Sequence, residues 1–389
     1  MKGSLCLLLC LLFFACSSGP DPDPAAAPDV SEEVATENRW SAEKANAYAA
    51  ARPQPIGANY INRDAINQLE MWQAESFNPN QIDEELGWAA DIGMNSMRVY
   101  LHNLVWEQDS TGFLERIERY LGIAEKHGIS TTFVLYDAVW NPVAELGDQP
   151  APLPRVHNSG WVQSPQSRQL MNGDRYYDLG RNYVQGILRH FKNDERIYMW
   201  DLYNEPDNDN FGKFPNEPEN KADFAFALLV KSFLWAREVN PSQPLTAGVW
   251  WGDLFNIIDE DLPLGRFNKF QLAHSDLISY HNYRDASHHA KTIGRLQKYG
   301  RPLVCTEYIA RTHGSTFESI LPLISEHKVG AYNWGLVSGK SNTIYPWSSW
   351  DSTFTAEPHL WHHDVFRVDG TPYNMEEVAL IQEMEVEKN

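Results

Sequence analysis

An apolar run at positions 197–203, interrupted only by Asp201, stops abruptly at Asn204-Glu205-Pro206. Such a run reads as a strand buried on both faces, and the proline that follows cannot continue the ladder. The run therefore delivers a carboxylate, Glu205, on the rigid end of a strand and beside loops able to form a pocket. That is where parallel α/β folds keep their chemistry. The rest of the chain must supply a sheet for this strand and a partner for Glu205.

Further short apolar runs lie at 56–61, 96–101, 130–136, 245–249, 277–280, 303–306 and 330–334, making eight with 197–203. Amphipathic helical patterns fall between them: 79–92 with Asn78 as cap, 112–127 closed by Gly128, and 176–191 with Asp174 at its start. Others run over 221–239, 286–299, 315–327 and 374–384. This alternation predicts a parallel sheet with crossover helices, and eight such units predict a single α/β domain, a (β/α)8 TIM barrel. A doubly wound open sheet would give a similar count. The turn after the first strand, GANYINRDA, lacks the glycine-rich dinucleotide fingerprint and so favours the barrel.

Taking the carboxyl ends of the strands as one face gives, in order, Tyr60 and Asn62, Arg98 and His102, Asp137 and Trp140, Asn204 and Glu205. Trp250 and Trp251, His281 and Tyr283, Glu307, and Trp334 complete the set. The loops after the third and eighth strands carry Trp140, Trp161, Trp347, Trp350 and Trp361, which predicts aromatic walls around a cleft. Glu205 and Glu307 both directly follow apolar runs, three strand–helix steps apart, so a closed barrel sets them on facing strands. Carboxyls so placed can approach the separation of about 5–5.5 Å that retaining glycosidases need, one as nucleophile and the other as acid and then base. One of them must be held neutral while its partner stays ionised.

Charge favours a neutral or cationic ligand, and composition offers surfaces for a sugar. A formal net charge of −20 opposes phosphate backbones and anionic membrane surfaces, which argues against nucleic acid as a partner. The 14 Trp and 17 Tyr offer flat apolar faces on which sugar C–H groups can stack.

At these residues the chain resembles the clan A glycoside hydrolases, and within that clan most closely the family-5 cellulase and mannanase type. The resemblance spans about positions 57–334 with the motifs in family order. It implies that Glu205, in Asn204-Glu205-Pro206, is the acid/base and that Glu307, in LVCTEY, is the nucleophile. It implies further that Asn204 hydrogen-bonds the sugar 2-hydroxyl, that Arg98 and Tyr283 hold the nucleophile, and that Trp334 floors the subsite next to the scissile bond. His281 belongs to the same His-X-Tyr motif as Tyr283. After the third strand the family often shows a histidine where this chain has Tyr136-Asp137. With Trp140 and Trp250, Asp137 completes the set of expected substrate contacts.

Asn216-Glu217-Pro218 repeats the triplet, but it follows a loop rather than a strand and is assigned no catalytic role. The pairs His288-His289 and His362-His363 lack the one-turn spacing of a helical zinc site. The acidic run beginning at Asp207 has Phe211 and Pro218 at positions where a calcium loop needs oxygens. We therefore expect no metal and no cofactor.

Lys2 and the apolar run 5–15 form a signal-peptide pattern ending at Cys16, in a context that resembles a bacterial lipobox. Residues 1–15 are expected to be a lipoprotein signal, with Cys16 lipidated. Residues 16–37, rich in proline, alanine and acids, are expected to be a disordered tether, and 38–389 the catalytic domain. Only Cys305 lies in the folded part, so no intrachain disulfide is available. The expected protein is a monomer held at the bacterial cell envelope by its lipid, at the outer membrane or cell surface, with a periplasmic or secreted form as the alternative. Its expected activity is hydrolysis of a neutral β-linked polysaccharide or oligosaccharide. A non-catalytic carbohydrate-binding barrel and a transglycosylase are the alternatives.

Overall fold

Among the described residues eight strands run parallel in one sheet: β1 (Ile56–Tyr60), β2 (Ser96–Tyr100), β3 (Ser130–Val134), β4 (Ile197–Asp201), β5 (Leu245–Thr246), β6 (Ile278–His281), β7 (Leu303–Tyr308) and β8 (Gly330–Trp334). The structure, a computed structural model, describes residues 38–250 and 264–386. The expected leader, tether and Cys16 lie outside the described residues, as does Trp251. Neighbours follow the order β5-β4-β3-β2-β1-β8-β7-β6. The remaining seam, between β5 and β6, is closed by Asp276 N–H donating to Leu245 O (2.8 Å), Val249 N–H to Ser279 O (3.0 Å) and His281 N–H to Val249 O (3.1 Å). The predicted (β/α)8 barrel is the fold, and each strand starts within one residue of its predicted start.

The helices lie outside this cylinder. Pro79–Asp91 is capped by Asn78, whose side chain accepts from Gln81 N–H, and Lys221–Val239 has the predicted bounds. The pattern predicted from position 112 continues a longer element, Asn103–Lys126, broken at Asp109 (φ −154°). There the Asp109 carboxylate accepts from Gly112 N–H at 2.9 Å and caps the second segment. The main apolar core fills the layer between sheet and helices and includes Leu86, Phe113, Ile187, Phe233 and Ile320.

Inside the barrel, side chains stack in layers along the axis. Low in the barrel the Tyr332 hydroxyl shares hydrogen bonds with Ser96 Oγ (2.8 Å) and Thr132 Oγ1 (2.9 Å). One layer higher lie Asn59, Arg98 and Asp201, and above them Tyr100, Glu307 and Trp334. On β2 this sequence is Ser96, Arg98, Tyr100, the period of two that a strand imposes. A short helix absent from the sequence prediction, Ala42–Ala50, closes the amino end of the barrel, with Trp40 and Ala45 packed on Tyr198, Leu277, Val304 and Tyr332.

Asp276 fastens this lower end. Its carboxylate accepts from Arg237 Nη1 (2.7 Å) and Nη2 (2.9 Å), from Leu245 N–H (2.8 Å) and from Trp40 N–H (2.9 Å), tying an outer helix, β5 and the amino-terminal plug together. Removing one partner of a buried ion pair leaves the other charge uncompensated. Asp276→Ala should lower unfolding stability by about 3–5 kcal/mol. Chemical denaturation followed by tryptophan fluorescence measures this, and an unchanged midpoint would contradict the role given to Asp276.

Candidate active site

Val304 points into the barrel among Tyr332 and Met199, whereas Glu307, three positions on, must also point inward to reach the mouth. Strict alternation forbids this. The conflict is resolved by one extra residue in β7. On the β6 side Tyr280 pairs with Cys305 and His281 with Glu307, skipping Thr306, and the register against β8 shifts over the same residues. A bulge of this kind re-aims a side chain, here the Glu307 carboxylate. Glu205 is delivered differently: its φ is +45°, left-handed backbone that a residue preceding proline is further pushed to avoid. Such strain, roughly 1–3 kcal/mol, recurs at functional sites.

The two carboxyls converge. One oxygen from each and a ring nitrogen of His281 lie within 4.8 Å of one another, all buried. Their surroundings are unequal. Glu307 Oε1 accepts from Arg98 Nη1 (3.0 Å) and from the Tyr100 hydroxyl (2.8 Å), and Oε2 accepts from the Tyr283 hydroxyl (2.7 Å). Glu205 has one amide, Asn208 Nδ2 to Oε2 at 2.7 Å, and shares a hydrogen bond with His281 Nδ1 at Oε1 (2.7 Å).

Burial raises the pKa of both carboxyls. For Glu205 the negative charge of Glu307 adds to burial, with the Asn208 amide opposing, so it is pushed well above the usual carboxylate range. For Glu307, Arg98 and the two phenols oppose burial. Burial and Arg98 hold His281 neutral, so no imidazolium draws Glu205 into its ionised form.

Arg98 is fully buried and does not line the cavity. It donates to Asp201 Oδ2 from Nε (3.1 Å) and Nη2 (2.8 Å), to Asn59 Oδ1 from Nη1 (2.8 Å) and to Asn204 Oδ1 from Nη2 (2.6 Å). Asp137, expected to touch substrate, also lies behind the lining. Its carboxylate accepts from Trp161 Nε1 (2.6 Å), Asn204 Nδ2 (2.9 Å), Val139 N–H (3.1 Å) and Gln68 Nε2 (3.2 Å), and burial pushes it up to about 7. Arg98 and Asp137 thus grip the Asn204 amide from both ends and fix which way it faces.

Asn204, Glu205, His281, Tyr283, Glu307, Trp140, Trp250 and Trp334 all line one cavity of about 620 Å³, in the range of small-ligand sites. Trp347 and Trp350 line it as predicted. Trp161 and Trp361 do not: Trp161 lies behind the lining and donates to Asp137 Oδ2 at 2.6 Å, and Trp361 stacks on Tyr373 (ring centroids 4.6 Å apart) and donates to Glu357 Oε1 at 2.8 Å. Nor do Tyr60 and His102 face the mouth. Tyr60 turns outward to donate to Glu85 Oε2 (2.8 Å), and His102 accepts from Leu104 N–H (3.1 Å) to cap a helix.

Three groups at the mouth escaped the sequence reading. Tyr100 stands two residues beyond Arg98 on one strand, so the period of two would have found it. Asn208 lies in the acidic run beginning at Asp207, where the sequence carries only the start of a calcium-loop pattern. His157, His313 and His363 form part of the cavity wall, with His157 and His363 rings 5.1 Å apart and His362 behind them. His157 and His363 each place Nδ1 against a backbone carbonyl, of Tyr345 (2.9 Å) and Ile309 (2.5 Å), and burial lowers both pKa values, that of His157 to about 4. These two rings are therefore uncharged.

The second Asn-Glu-Pro has a structural place. Glu217 pairs with the buried Lys221 and accepts from Asn210 Nδ2 (2.9 Å) and Gln163 Nε2 (2.7 Å). Lys221 in turn donates to Asn208 O (2.8 Å), so this pair fastens the loop that brings Asn208 to Glu205. Glu205, His281 and Glu307 are also the set among the described residues whose donor atoms are close enough to share a cation. The Arg98 charge, 3.0 Å from Glu307, opposes one there.

Neither a protein-family model nor a curated protein sequence matches the chain. In structure it is similar to an exo-β-1,4-mannosidase from Opitutaceae bacterium strain TAV5, with a TM-score of 0.55 and 16% identity. That match covers 86% of this chain and 59% of the mannosidase, so the chain spans less than two thirds of its length. It is similar also to a GH5_18 protein from Streptomyces cattleya solved with Manβ1-4GlcNAc (TM-score 0.54, 12% identity, 86% of this chain and 80% of that one). A third is Fpglu1 from Fervidobacterium pennivoraus (TM-score 0.52, 11% identity, 80% and 84%). At these identities the likeness establishes the barrel fold, and the family-5 resemblance read from the sequence has its counterpart at that level.

The unequal hydrogen bonding can be checked without any substrate. Tyr100→Phe removes a donor that favours ionised Glu307, so the Glu307 carboxyl should titrate at higher pH in the variant. Carbon-detected NMR of labelled glutamate side chains reads this; a titration that stays put or moves down would contradict the assignment.

Proposed function

We propose that the chain is a retaining β-glycoside hydrolase acting on a neutral β-linked oligosaccharide or polysaccharide through a covalent glycosyl-enzyme intermediate. The observation that carries this reading is the pair Glu205 and Glu307, with carboxyl oxygens within 4.8 Å and environments that push their charges apart. An inverting pair would stand about 6.5–9.5 Å apart to admit a water between substrate and base.

In the proposed reaction Glu307, kept ionised by Arg98, Tyr100 and Tyr283, attacks the anomeric carbon. Glu205, kept protonated by burial and by the charge of Glu307, gives its proton to the leaving oxygen as that bond breaks. The aglycone departs, and the sugar is held as an ester on Glu307. The ester removes the negative charge that raised the pKa of Glu205, which can then take a proton from an entering water. Water attacks the anomeric carbon, the ester breaks and Glu307 is regenerated. Two inversions leave the configuration unchanged. Asn204, with its orientation fixed, presents an amide N–H beside the reacting carbon. β-Mannosides enter the assay first because two of the similar folds carry mannose-linked descriptions, alongside β-glucosides, β-galactosides and β-xylosides. Attachment to a bacterial envelope through lipidated Cys16 belongs to the same proposal; fatty-acid labelling that persists in Cys16→Ala would remove it.

Glu205→Gln should reduce turnover of substrates with poor leaving groups by about 10²–10⁴. Glu307→Gln should stop turnover of all substrates, and both variants should keep wild-type circular dichroism. A 2-deoxy-2-fluoro glycosyl fluoride should leave a covalent sugar on the peptide containing Glu307. Near-native activity in both variants, or a label elsewhere, would sink the assignment.

The pH profile offers a separate check. The alkaline limb reports loss of the Glu205 proton, and the Asn208 amide favours the charged form, so Asn208→Ala should move that limb to higher pH. A downward move would contradict it.

A further inference from the structure

We propose that the cleft is blind on the side of the sugar under attack, so that the enzyme works inward from the non-reducing end of a chain. This rests on the glycosidase reading above.

Direction along the cleft follows from the two carboxyls. The leaving oxygen must lie against Glu205, at the end of β4, so the aglycone lies on the β4 and β5 side. There Phe211 and Trp250 line the cavity with rings 6.4 Å apart. The attacked sugar extends from Glu307 away from Glu205, over Trp334 on β8 and toward β1 and β2. Any sugar attached further along the non-reducing direction must pass there.

That path is walled off. The connection after β2 is brief, since the helix Asn103–Lys126 begins three residues beyond Tyr100. The loops after β8 and β3 span the space instead. Trp350, in the single turn Trp347–Trp350, stacks on Trp140 of the β3 loop with centroids 5.1 Å apart and planes at 18°. The two loops are joined by hydrogen bonds as well. His157 N–H donates to Ser349 Oγ (3.0 Å), Asn158 N–H to Ser341 O (2.8 Å), and His157 Nδ1 faces Tyr345 O (2.9 Å).

Beyond Phe211 the β4 loop reaches the same turn. The Phe214 ring meets Trp350 edge-on at 5.7 Å, and Lys213 forms an ion pair with Asp351. Trp350 is therefore the keystone where three loops meet. An internal chain segment has nowhere to continue past the attacked sugar, whereas a chain end fits.

The test uses the full-length protein and two β-linked hexasaccharides labelled at the reducing end, of the sugar whose aryl β-glycoside it cleaves best. One is unmodified; the other carries a bulky acetal on its non-reducing terminal residue. The expected result is stepwise shortening of the first by one fixed product length from the earliest time points, with the second cut at least tenfold more slowly. Trp350→Ala, which opens the wall, should cut the capped chain at least tenfold faster than wild type does. Should that variant not fold, Lys213→Ala, at a partly exposed pair, should show a smaller rise.

Early products of many lengths, equal cleavage of the capped chain, or a folded Trp350→Ala that still refuses it would each overturn the proposal. In each of those cases hydrolysis itself would be established. If aryl glycosides are cleaved but neither hexasaccharide is shortened, chain-end cutting alone fails. Absence of cleavage of every aryl glycoside and oligosaccharide would remove the glycosidase reading and this inference together.

Discussion

Much of this structure depends on a guanidinium buried without solvent contact between two carboxylates. Moving a cation into the interior costs several kcal/mol unless it is paired and its N–H groups are satisfied. Arg98 meets that condition through ion pairs to Asp201 and Glu307 and hydrogen bonds to Asn59, Asn204 and the Tyr100 hydroxyl. Its partners come from β1, β2, β4 and β7, so forming the cluster requires the barrel to be in register. The same contacts decide the electrostatics of the mouth. Of two glutamates in one cavity, only Glu307 receives the cation, and Tyr100 passes on the bias by accepting from Arg98 and donating to Glu307. Glu205 is left with an amide and a neutral imidazole.

The barrel was legible because a strand buried on both faces must be apolar throughout, and punctuation by Pro206, Gly128 and Asn78 marks where elements stop and start. Glu205 and Glu307 were legible because each breaks such a run at its end. What a single strand cannot reveal is the direction of a side chain once the regular period fails. Counting from Val304 turns Glu307 outward, and only the extra residue in β7, a property of pairing with both neighbours, turns it in. Asp137 shows the converse. Its place after β3 is as expected, but four donors from Trp161, Asn204, Val139 and Gln68 claim its carboxylate, and two of them lie more than sixty positions away in the sequence.

The walls were legible in composition and not in detail, for the same reason. Trp140, Trp347, Trp350 and Trp361 are alike as isolated tryptophans in long loops. Three of them meet at the mouth, while the fourth is taken by Tyr373 and a glutamate four residues before it. The adjacent pair His362-His363 lacks metal-site spacing in the sequence, and burial makes both rings neutral fillers between loops. Contacts such as Lys213 with Asp351, 138 positions apart, set the shape of the cleft, and nothing local to either residue announces them.

The charge arithmetic explains why a second acid sits beneath the cation. In the proposed reaction the sugar passes through an oxocarbenium-like state, so positive charge develops at the anomeric carbon. An unpaired Arg98 just below Glu307 would oppose that charge in a site where water does not screen it. Asp201, paired with Arg98 at 2.8 Å, cancels the cation's field at longer range while leaving its hydrogen bond to Glu307 intact. The cluster of Arg98, Asp201 and Glu307 then carries one net negative charge, placed on the carboxylate that faces the cavity. The neutral histidine wall adds nothing of opposite sign. A guanidinium alone would orient Glu307 but weaken its pull on the developing cation. Paired with an acid on β4, it orients Glu307 and leaves that pull in place.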